Sequence, residues 1–541
     1  MISERASTGA DLLVESLLAH GLRVVFGLPG VQLDPAFDAL ARRAGEIRVV
    51  HTRDEQATSF MADGYARTSG RPGCCLVVPG PGVLNAMAGL STAYACSSPV
   101  LCVAGQVPSG QIDSGRGLLH ELPRQLELLR SVAKWAGRAM RPEEVPALVA
   151  QAVRHMVTGR PRPAAIELPP DVLDAAVPAG APLPAPPPVE PPALDGGALE
   201  EMAALLRAAE RPLIVAGGGV VRAGAWDQLR EVAERRRAPV VVTANGKGAL
   251  SSRPPLAFGD VDMPRLVEAA DVVLAVGTRF STIGAARWRL RPDQRLLRID
   301  ADPDEVTRDV RPAVGVAADA RAALELLADL VPPGAATGWR GLDEVRRRGL
   351  EDVESLQPQA AFGAAIRRAL PDDAVVVNGM TQVGYWGRLA FPVYEPRTFL
   401  TAGYQGTLGF ELPTGLGAQV ALPGGRVVVL VGDGGFLYSV GELATAVQHR
   451  IPAIVVLFND GAYGNVRRLQ RQRYGRLIAS ELHNPDFPRL ADSFGVHALR
   501  AQGPDGLAGA LTTALDLDGP VLIEVPVGEM ADPWRLLTRA T

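Results

Sequence analysis

The chain has 541 residues, 47% of them hydrophobic and 21% charged, and a formal net charge of −4. That length exceeds one hydrophobic core, and size alone divides it into about three domains of ordinary length. The small net charge, the lack of a long run of one sign and the lack of ~18 consecutive uncharged apolar residues exclude a nucleic-acid binder and a membrane span as first readings.

In chain order, the opening MISERASTGADLLVESL has the pattern of an amphipathic helix start, not of a signal peptide, so a cytoplasmic protein is expected. Cys74, Cys75, Cys96 and Cys102 fall among apolar residues without a CxxC pair, which fits buried reduced thiols. Short β-branched runs then alternate with helical patterns, at 23–26, 75–78, 212–215, 240–242, 272–276, 375–377, 427–431 and 454–458. Many of these runs are apolar throughout, as parallel strands covered on both faces require. A proline-rich stretch over 178–195 excludes helix and central strand and reads as a stiff linker. A softer break runs over 330–349. The expected fold class is therefore α/β, with three doubly wound parallel-sheet domains at 1–177, 196–332 and 350–541. In such sheets, sites form at the C-terminal ends of strands.

Three strand ends carry chemistry. In the first block a strand ends near His51 and a helix begins near Asp54, so Glu55 falls in a first helical turn. Taken alone, it is a carboxylate favoured by the helix N-terminus. In the third block the run 427–431 leads into Gly432-Asp433-Gly434-Gly435, and the run 454–458 into Asn459-Asp460-Gly461-Ala462-Tyr463-Gly464. Asp433 and Asp460 are 27 positions apart. A βαβ unit takes about 30 residues, so both acids reach the same sheet edge. Mg²⁺ takes hard oxygen ligands and joins carboxylates to phosphate oxygens, which Asp433, Asp460 and the Ala462 carbonyl would supply. Gly434 and Gly435 allow close backbone approach to a phosphate. Read singly, each loop is only a tight turn; together, at this spacing, they favour a metal–diphosphate site.

The GDG loop followed by an Asn-Asp pair resembles the motif of thiamine-diphosphate-dependent enzymes. The segment from His51 to Arg67 resembles that family's catalytic-glutamate segment, and the likeness continues through residues 79–85 and Gly105-Gln106-Val107-Pro108. It spans all three blocks and points within the family to the acetolactate synthase (acetohydroxyacid synthase) branch. The resemblance implies a homodimer or homotetramer with active sites at the subunit interface, the GDG loop of one subunit facing the glutamate of another. It implies that Glu55 hydrogen-bonds the cofactor's aminopyrimidine and so promotes proton removal from the thiazolium, whose carbanion adds to a carbonyl carbon. It also implies that Pro81, Asn85, Met380, Thr381, Gly432, Tyr463 and Gly464 adjoin the cofactor. Gly406 would offer its carbonyl to the ring's amino group, and Leu408 would bend the cofactor, although leucine is ordinarily core. His120 occupies the place of a family glutamine, in a segment about three residues longer than usual, and with Gln106 it would face the substrate; a surface or core histidine is the competing reading.

Two departures bear on the substrate. Asn465 and Leu469 stand where acetolactate synthases carry a methionine and a tryptophan, and residues 465–473 are unusually basic, as a solvated helix face or as a seat for an anionic group. In the middle block, Gly217-Gly218-Gly219 and Gly277-Thr278-Arg279-Phe280 resemble the family's central domain, which binds FAD in some members. Arg222 stands at the third glycine position of a dinucleotide loop, so a structural domain without FAD is expected. These readings imply a decarboxylase/carboligase acting on a small 2-oxo acid, or alternatively a simple non-oxidative decarboxylase or C–C lyase. A non-catalytic relative is disfavoured by the joint presence of Glu55, Asp433 and Asp460.

Overall fold

The chain forms three parallel sheets, and strands whose every residue is buried, β3 (Gly73–Val77) and β4 (Val100–Gly105) in the first and β7 (Pro212–Ala216) and β10 (Val272–Val276) in the second, lie at their centres. The computed structural model describes residues 7–177, 193–253, 255–279, 290–334 and 338–537. Residues 178–192 of the expected proline-rich linker, and Phe280 of the central motif, lie outside this set.

The first sheet adds β1 (Val24–Gly27), β2 (Arg48–His51), β5 (Trp135–Arg138) and β6 (Ala164–Leu168), in the order β2-β1-β3-β4-β6-β5. The second adds β8 (Val240–Val242), β9 (Ala257–Phe258), β11 (Arg295–Asp300) and β12 (Val314–Ala317), in the order β12-β11-β10-β7-β8-β9. The third contains β13 (Val375–Asn378), β14 (Phe399–Leu400), β15 (Val427–Gly432), β16 (Ile454–Asn459), β17 (His497–Arg500) and β18 (Val521–Pro526), in the order β14-β13-β15-β16-β18-β17. Neighbouring strands run parallel, with helices between them. This is the three-sheet, doubly wound α/β architecture expected from the continuous apolar runs.

Each sheet has a point where strand order reverses, between β1 and β3, between β7 and β10, and between β13 and β15. Adjacent loops leave in opposite directions there and open a crevice, the general place for a ligand in such sheets. The Gly432 loop lies at the third of these points.

The first and third sheets share one core. The helices Glu55–Ser69 and Glu411–Ala421 cross so closely that a Cβ on Gly64 would collide with the Thr414 carbonyl, and one on Gly417 with the Met61 carbonyl. Phe60 and Phe410 close the crossing, their ring centroids 6.5 Å apart. The helix that begins with Glu55 is thereby fixed against the domain that carries Asp433.

Candidate active site

The register of β15 and β16 pairs Gly432 with Phe458, so Asp433 and Asp460 leave the same edge of the third sheet. Asp433 is buried and opens the short helix Asp433–Phe436. Asn484 Nδ2 donates to Asp433 Oδ2 at 2.6 Å and to Asn459 Oδ1 at 2.9 Å, bridging the two loops. Asp460 accepts from Arg467 Nη2 at 3.3 Å. Burial, and then the negative charge of Asp433, push the Asp460 carboxyl up to about 6, while Arg467 opposes the rise. Residues 461–463 are held against 480–482: Tyr463 N–H donates to Ser480 O at 2.9 Å and Leu482 N–H to Gly461 O at 2.8 Å.

Glycines make room in front of these acids. A Cβ on Gly434 would lie 2.6 Å from the Tyr463 ring, and one on Gly464 would collide with Asp460 Oδ2. A cavity of about 120 Å³ opens here. It is lined by Met380, Thr381, Leu408, Gly432, Asp433, Gly434, Gly435, Asp460, Ala462, Tyr463, Gly464 and Asn465, so twelve of the residues singled out in the sequence meet on one space. Leu408 faces this space and is only half-buried, so it is not core. Gly406 does not line it, but adopts φ +59°, and a Cβ there would lie 3.3 Å from Met380 Cε. Thr381 caps the helix Gln382–Ala390, accepting from Val383 N–H at 3.2 Å.

Sequence reasoning missed several members. Val527, Gly528 and Met530 reach the cavity from the end of β18, which the sheet order places beside β16. Glu411 is buried behind the loops: Oε1 accepts from Met380 N–H at 3.1 Å, and Oε2 has no partner among the described residues. Burial pushes its carboxyl up to about 7. Nothing local marked Glu411, because its burial depends on Gly379 and Gly435, whose missing side chains leave the space it fills.

The residues singled out in the first block form a separate group. Asp54 caps the Glu55 helix by accepting from Gln56 N–H at 2.8 Å. Glu55 Oε2 accepts from Asn85 Nδ2 at 3.1 Å, and Gly82 lies beside Oε1. Asn85 belongs to the helix Pro81–Ala95, whose first residue is Pro81. The backbone of His120 lies against Gly80, both with positive φ, and His120 Nδ1 is buried with no partner among the described residues. Gln106 is buried and turned back on its own chain, its Oε1 accepting from Val107 N–H at 2.7 Å. None of Glu55, Pro81, Asn85, Gln106 and His120 lines the Asp433–Asp460 cavity.

The basic segment is a largely solvated helix face whose arginines are in part paired within the chain. In the helix Gly464–Tyr474, Arg467 pairs with Asp460, Arg468 with Asp532, and Arg471 with Glu529 at 2.7 Å. Asn465 Oδ1 accepts from Arg468 Nη2 at 2.6 Å and Trp534 Nε1 at 2.7 Å. Arg468 and Arg471 therefore tie the C-terminal segment to the helix, while Arg467 turns to Asp460.

In the central domain a larger cavity, about 440 Å³, opens between the Gly217–Gly219 and Gly277–Arg279 loops, at the reversal between β7 and β10. Arg160, Arg222, Arg279 and Arg388 stand on its walls. The triple glycine was its sequence signal: a Cβ on Gly217 or Gly219 would run into Gly277.

Comparison with known proteins agrees with this geometry. Family models match three stretches: "Thiamine pyrophosphate enzyme, N-terminal TPP binding domain" at residues 7–128, "central domain" at 199–327 and "C-terminal TPP binding domain" at 379–525. A "Probable acetolactate synthase large subunit" of Methanocaldococcus jannaschii is 35% identical, the match covering 96% of this chain and 92% of the relative. The chain belongs to the thiamine pyrophosphate enzyme family. A "Probable 2-ketoarginine decarboxylase AruI" of Pseudomonas aeruginosa is 36% identical over 97% of this chain and 95% of its own length. The "Acetolactate synthase isozyme 3 large subunit" of Escherichia coli is 33% identical over 94% and 92%. This member of the thiamine pyrophosphate family is thus an acetolactate synthase-like enzyme whose cofactor is thiamine diphosphate, the same compound as thiamine pyrophosphate. Among the described residues no helix is long and apolar enough to cross a membrane.

Proposed function

We propose that the protein is a decarboxylase/carboligase that acts on a small 2-oxo acid with thiamine diphosphate and Mg²⁺, within the domain limits 1–177, 196–332 and 350–541 and in the cytoplasm. The observation that carries this reading is the meeting of Asp433 and Asp460 on one glycine-cradled cavity at the strand-order reversal of the third sheet.

The donor set fits the cofactor. Among the described residues no cluster of three or more His, Cys, Asp or Glu side chains is placed to hold a metal. Two carboxylates and the Ala462 carbonyl leave Mg²⁺ short of six oxygens, and a diphosphate supplies the kind that is missing. Gly434, Gly435 and Gly464 admit the phosphates without a Cβ in the way. Met380, Thr381, Tyr463 and Leu408 wall the space, and in this reading Gly406, whose Cα neighbours the Met380 side chain, offers its carbonyl to an amino group. When bound, thiamine diphosphate supplies an acidic thiazolium carbon and an electron sink for loss of CO₂.

Glu55 is the proton-handling group of this reading, oriented by Asn85, with Pro81 placing the helix that carries Asn85. His120, whose buried Nδ1 has no partner among the described residues, is assigned to the substrate side, with Gln106 shaping the loop behind it. Because Glu55 does not line the Asp433 cavity of its own chain, the working unit in this reading is a homodimer or homotetramer that sets the first block of one copy against the third block of another. Exposed Val31, Leu84 and Leu119 near the Glu55 edge, and Tyr438, Leu469 and Ile478 near the Asp433 edge, give both faces the apolar surface such an interface buries.

A second reading, decarboxylation without carboligation, is favoured by Asn465. Asn465 is occupied by Arg468 and Trp534, and the relative named a 2-ketoarginine decarboxylase is 36% identical. The test is to incubate the Mg²⁺-loaded holoenzyme with a panel of 2-oxo acids, following CO₂ and products by mass spectrometry. Coupled products support carboligation and aldehydes alone support the second reading; no CO₂ from any member refutes both.

A further inference from the structure

The strand that leads to Glu55 has an open edge. β2 ends the first sheet and has β1 as its neighbour. Arg48 N–H donates to Arg23 O at 2.8 Å and Thr52 N–H to Gly27 O at 3.3 Å, so the even-numbered residues turn their N–H groups toward β1. In an extended chain alternate N–H groups point opposite ways, and those of His51 and Arg53 therefore face outward. Unpaired edge N–H groups need a cover.

The cover comes from the third sheet's domain. Glu442 Oε1 accepts from Arg53 N–H at 3.0 Å, and His449 Nε2 accepts from His51 N–H at 3.2 Å. Glu442 begins the helix Glu442–Gln448 and His449 caps its end. Seven residues are two helical turns, so both acceptors share one helix face and meet two N–H groups on one side of a strand. The Thr445 hydroxyl donates to Glu442 Oε2 at 2.6 Å, Arg53 Nη2 to Gln448 Oε1 at 2.9 Å, and Arg48 Nη2 to His449 O at 3.4 Å. His51 Nδ1 lies 3.2 Å from His449 Nε2, with the rings edge to face.

The electrostatics suit these roles. Burial pushes the Glu442 carboxyl up to about 7, against the Thr445 hydroxyl and the Arg53 amide. Burial, then His51 and Arg48, hold His449 below the ordinary histidine range, which keeps its Nε2 an acceptor.

We propose that Glu442 and His449 are positioning residues for Glu55: by holding the outward N–H groups of His51 and Arg53 they set where the Glu55 carboxylate stands. This rests on the role given to Glu55 above. Only Asp54 separates Arg53 from Glu55, and Asp54 is itself fixed as the helix cap while its carbonyl accepts from the Thr52 hydroxyl at 2.8 Å. Little slack remains between the clamp and the carboxylate, and small displacements of a proton-handling group cost rate steeply.

Two measurements on the full chain test this. The first is amide hydrogen exchange over residues 48–56 without cofactor. His449→Leu and Glu442→Ala are expected to raise exchange at His51 or Arg53 by about tenfold, the size of one lost hydrogen bond, while His449→Gln and Glu442→Gln, which keep an acceptor, stay near wild type. The second, on the Mg²⁺-loaded holoenzyme, is deuterium uptake at C2 of bound thiamine diphosphate, by NMR after acid quench, with kcat and KM. The Leu and Ala variants are expected to lose about tenfold in C2 exchange and kcat, with KM and cofactor affinity within about twofold, and the Gln variants to recover both rates. Unchanged amide exchange overturns the clamp. Faster amide exchange with unchanged C2 exchange overturns the positioning role. If Glu442→Ala does not fold, His449→Leu decides alone. Glu55→Gln is the reference: wild-type C2 exchange in that variant removes the reading of Glu55 itself, while the amide result stands independently.

Discussion

Asn484 donates one amide hydrogen to Asp433 at 2.6 Å and the other to Asn459 at 2.9 Å, so the loop that carries Asp433 and the strand end that carries Asp460 are tied through one side chain. A partner behind a metal-binding carboxylate orients it, and loss of such partners commonly costs 10–100-fold in metal affinity. Asn484→Ala is expected to weaken Mg²⁺–thiamine diphosphate binding by about that factor in calorimetry, with the melting temperature of the cofactor-free protein little changed. Wild-type affinity in the variant would remove Asn484 from the site.

The two halves of the proposed site make opposite predictions. Glu55→Gln keeps the volume and an acceptor for Asn85 but removes proton exchange, so kcat is expected to fall by about 10²–10⁴-fold while cofactor affinity holds. Asp433→Ala is expected to show the reverse order of effects, with cofactor binding lost first. Cofactor titration and steady-state rates on both variants separate them. Loss of affinity in Glu55→Gln with full activity at saturating cofactor would contradict the assignment.

The fold was legible because the apolar runs such as 427–431 are long, β-branched and buried on both faces, and the glycine loops mark their C-terminal ends. Asp433 and Asp460 could be paired because one βαβ unit fixes their placement. What escaped was set by distance in the chain. Glu442 meets the Arg53 amide across 389 positions, and Asn484 is an ordinary loop residue until the Ser480–Leu482 stretch folds back on Gly461–Tyr463. The pairing of Arg468 and Arg471 was not legible because their partners Asp532 and Glu529 lie in a segment with no pattern of its own. In the central domain Arg222 breaks the glycine pattern, so the cavity there was not legible from the loop sequence; it follows from the strand-order reversal and close glycine packing.

Cofactor loading is expected to depend on pH in the acid direction. As the Mg²⁺ ligand proposed above, Asp460 would have to be ionised, and its carboxyl is raised to about 6 in the cofactor-free protein. Below that value binding must expel a proton, so the apparent affinity for Mg²⁺–thiamine diphosphate falls as pH drops from 7 to 5 and levels off above about 7. Binding isotherms at several pH values check this. Affinity that is flat from pH 5 to 7 would show that the pair is already fully ionised.

Glu411 gives a stability prediction of the opposite sign. Its folded value of about 7 lies above the ordinary glutamate value of about 4.3, so the folded state binds the proton more tightly than the unfolded one. Its contribution is full at low pH and is lost as pH rises through about 4 to 7. Glu411→Gln removes the titration and keeps an acceptor for Met380 N–H. The variant is expected to gain on wild type between pH 5 and 8, on the order of 1–3 kcal/mol at the alkaline end, as read from denaturant unfolding. A difference that does not grow with pH would show that Glu411 stays ionised.

Asn465 tests how the C-terminal segment serves the cavity. Its side-chain oxygen accepts from both Arg468 and Trp534, while Trp534 packs on Tyr385 with ring centroids 5.5 Å apart, and Met530, four residues before Trp534, lines the cavity. In Asn465→Ala the Trp534 N–H and one Arg468 donor lose their acceptor, a cost of about 1–3 kcal/mol for buried groups. Most of that cost is expected to appear locally, as release of residues 528–537 and not as global unfolding, because the ion pairs of Arg468 with Asp532 and Arg471 with Glu529 act on the same short segment. Limited proteolysis should then cut near residue 530 several-fold faster than in wild type, with the main unfolding transition shifted by only a few degrees. Equal cleavage rates would mean that the Tyr385 contact and the two ion pairs hold the segment without Asn465, leaving this asparagine free to be exchanged when the pocket is redesigned.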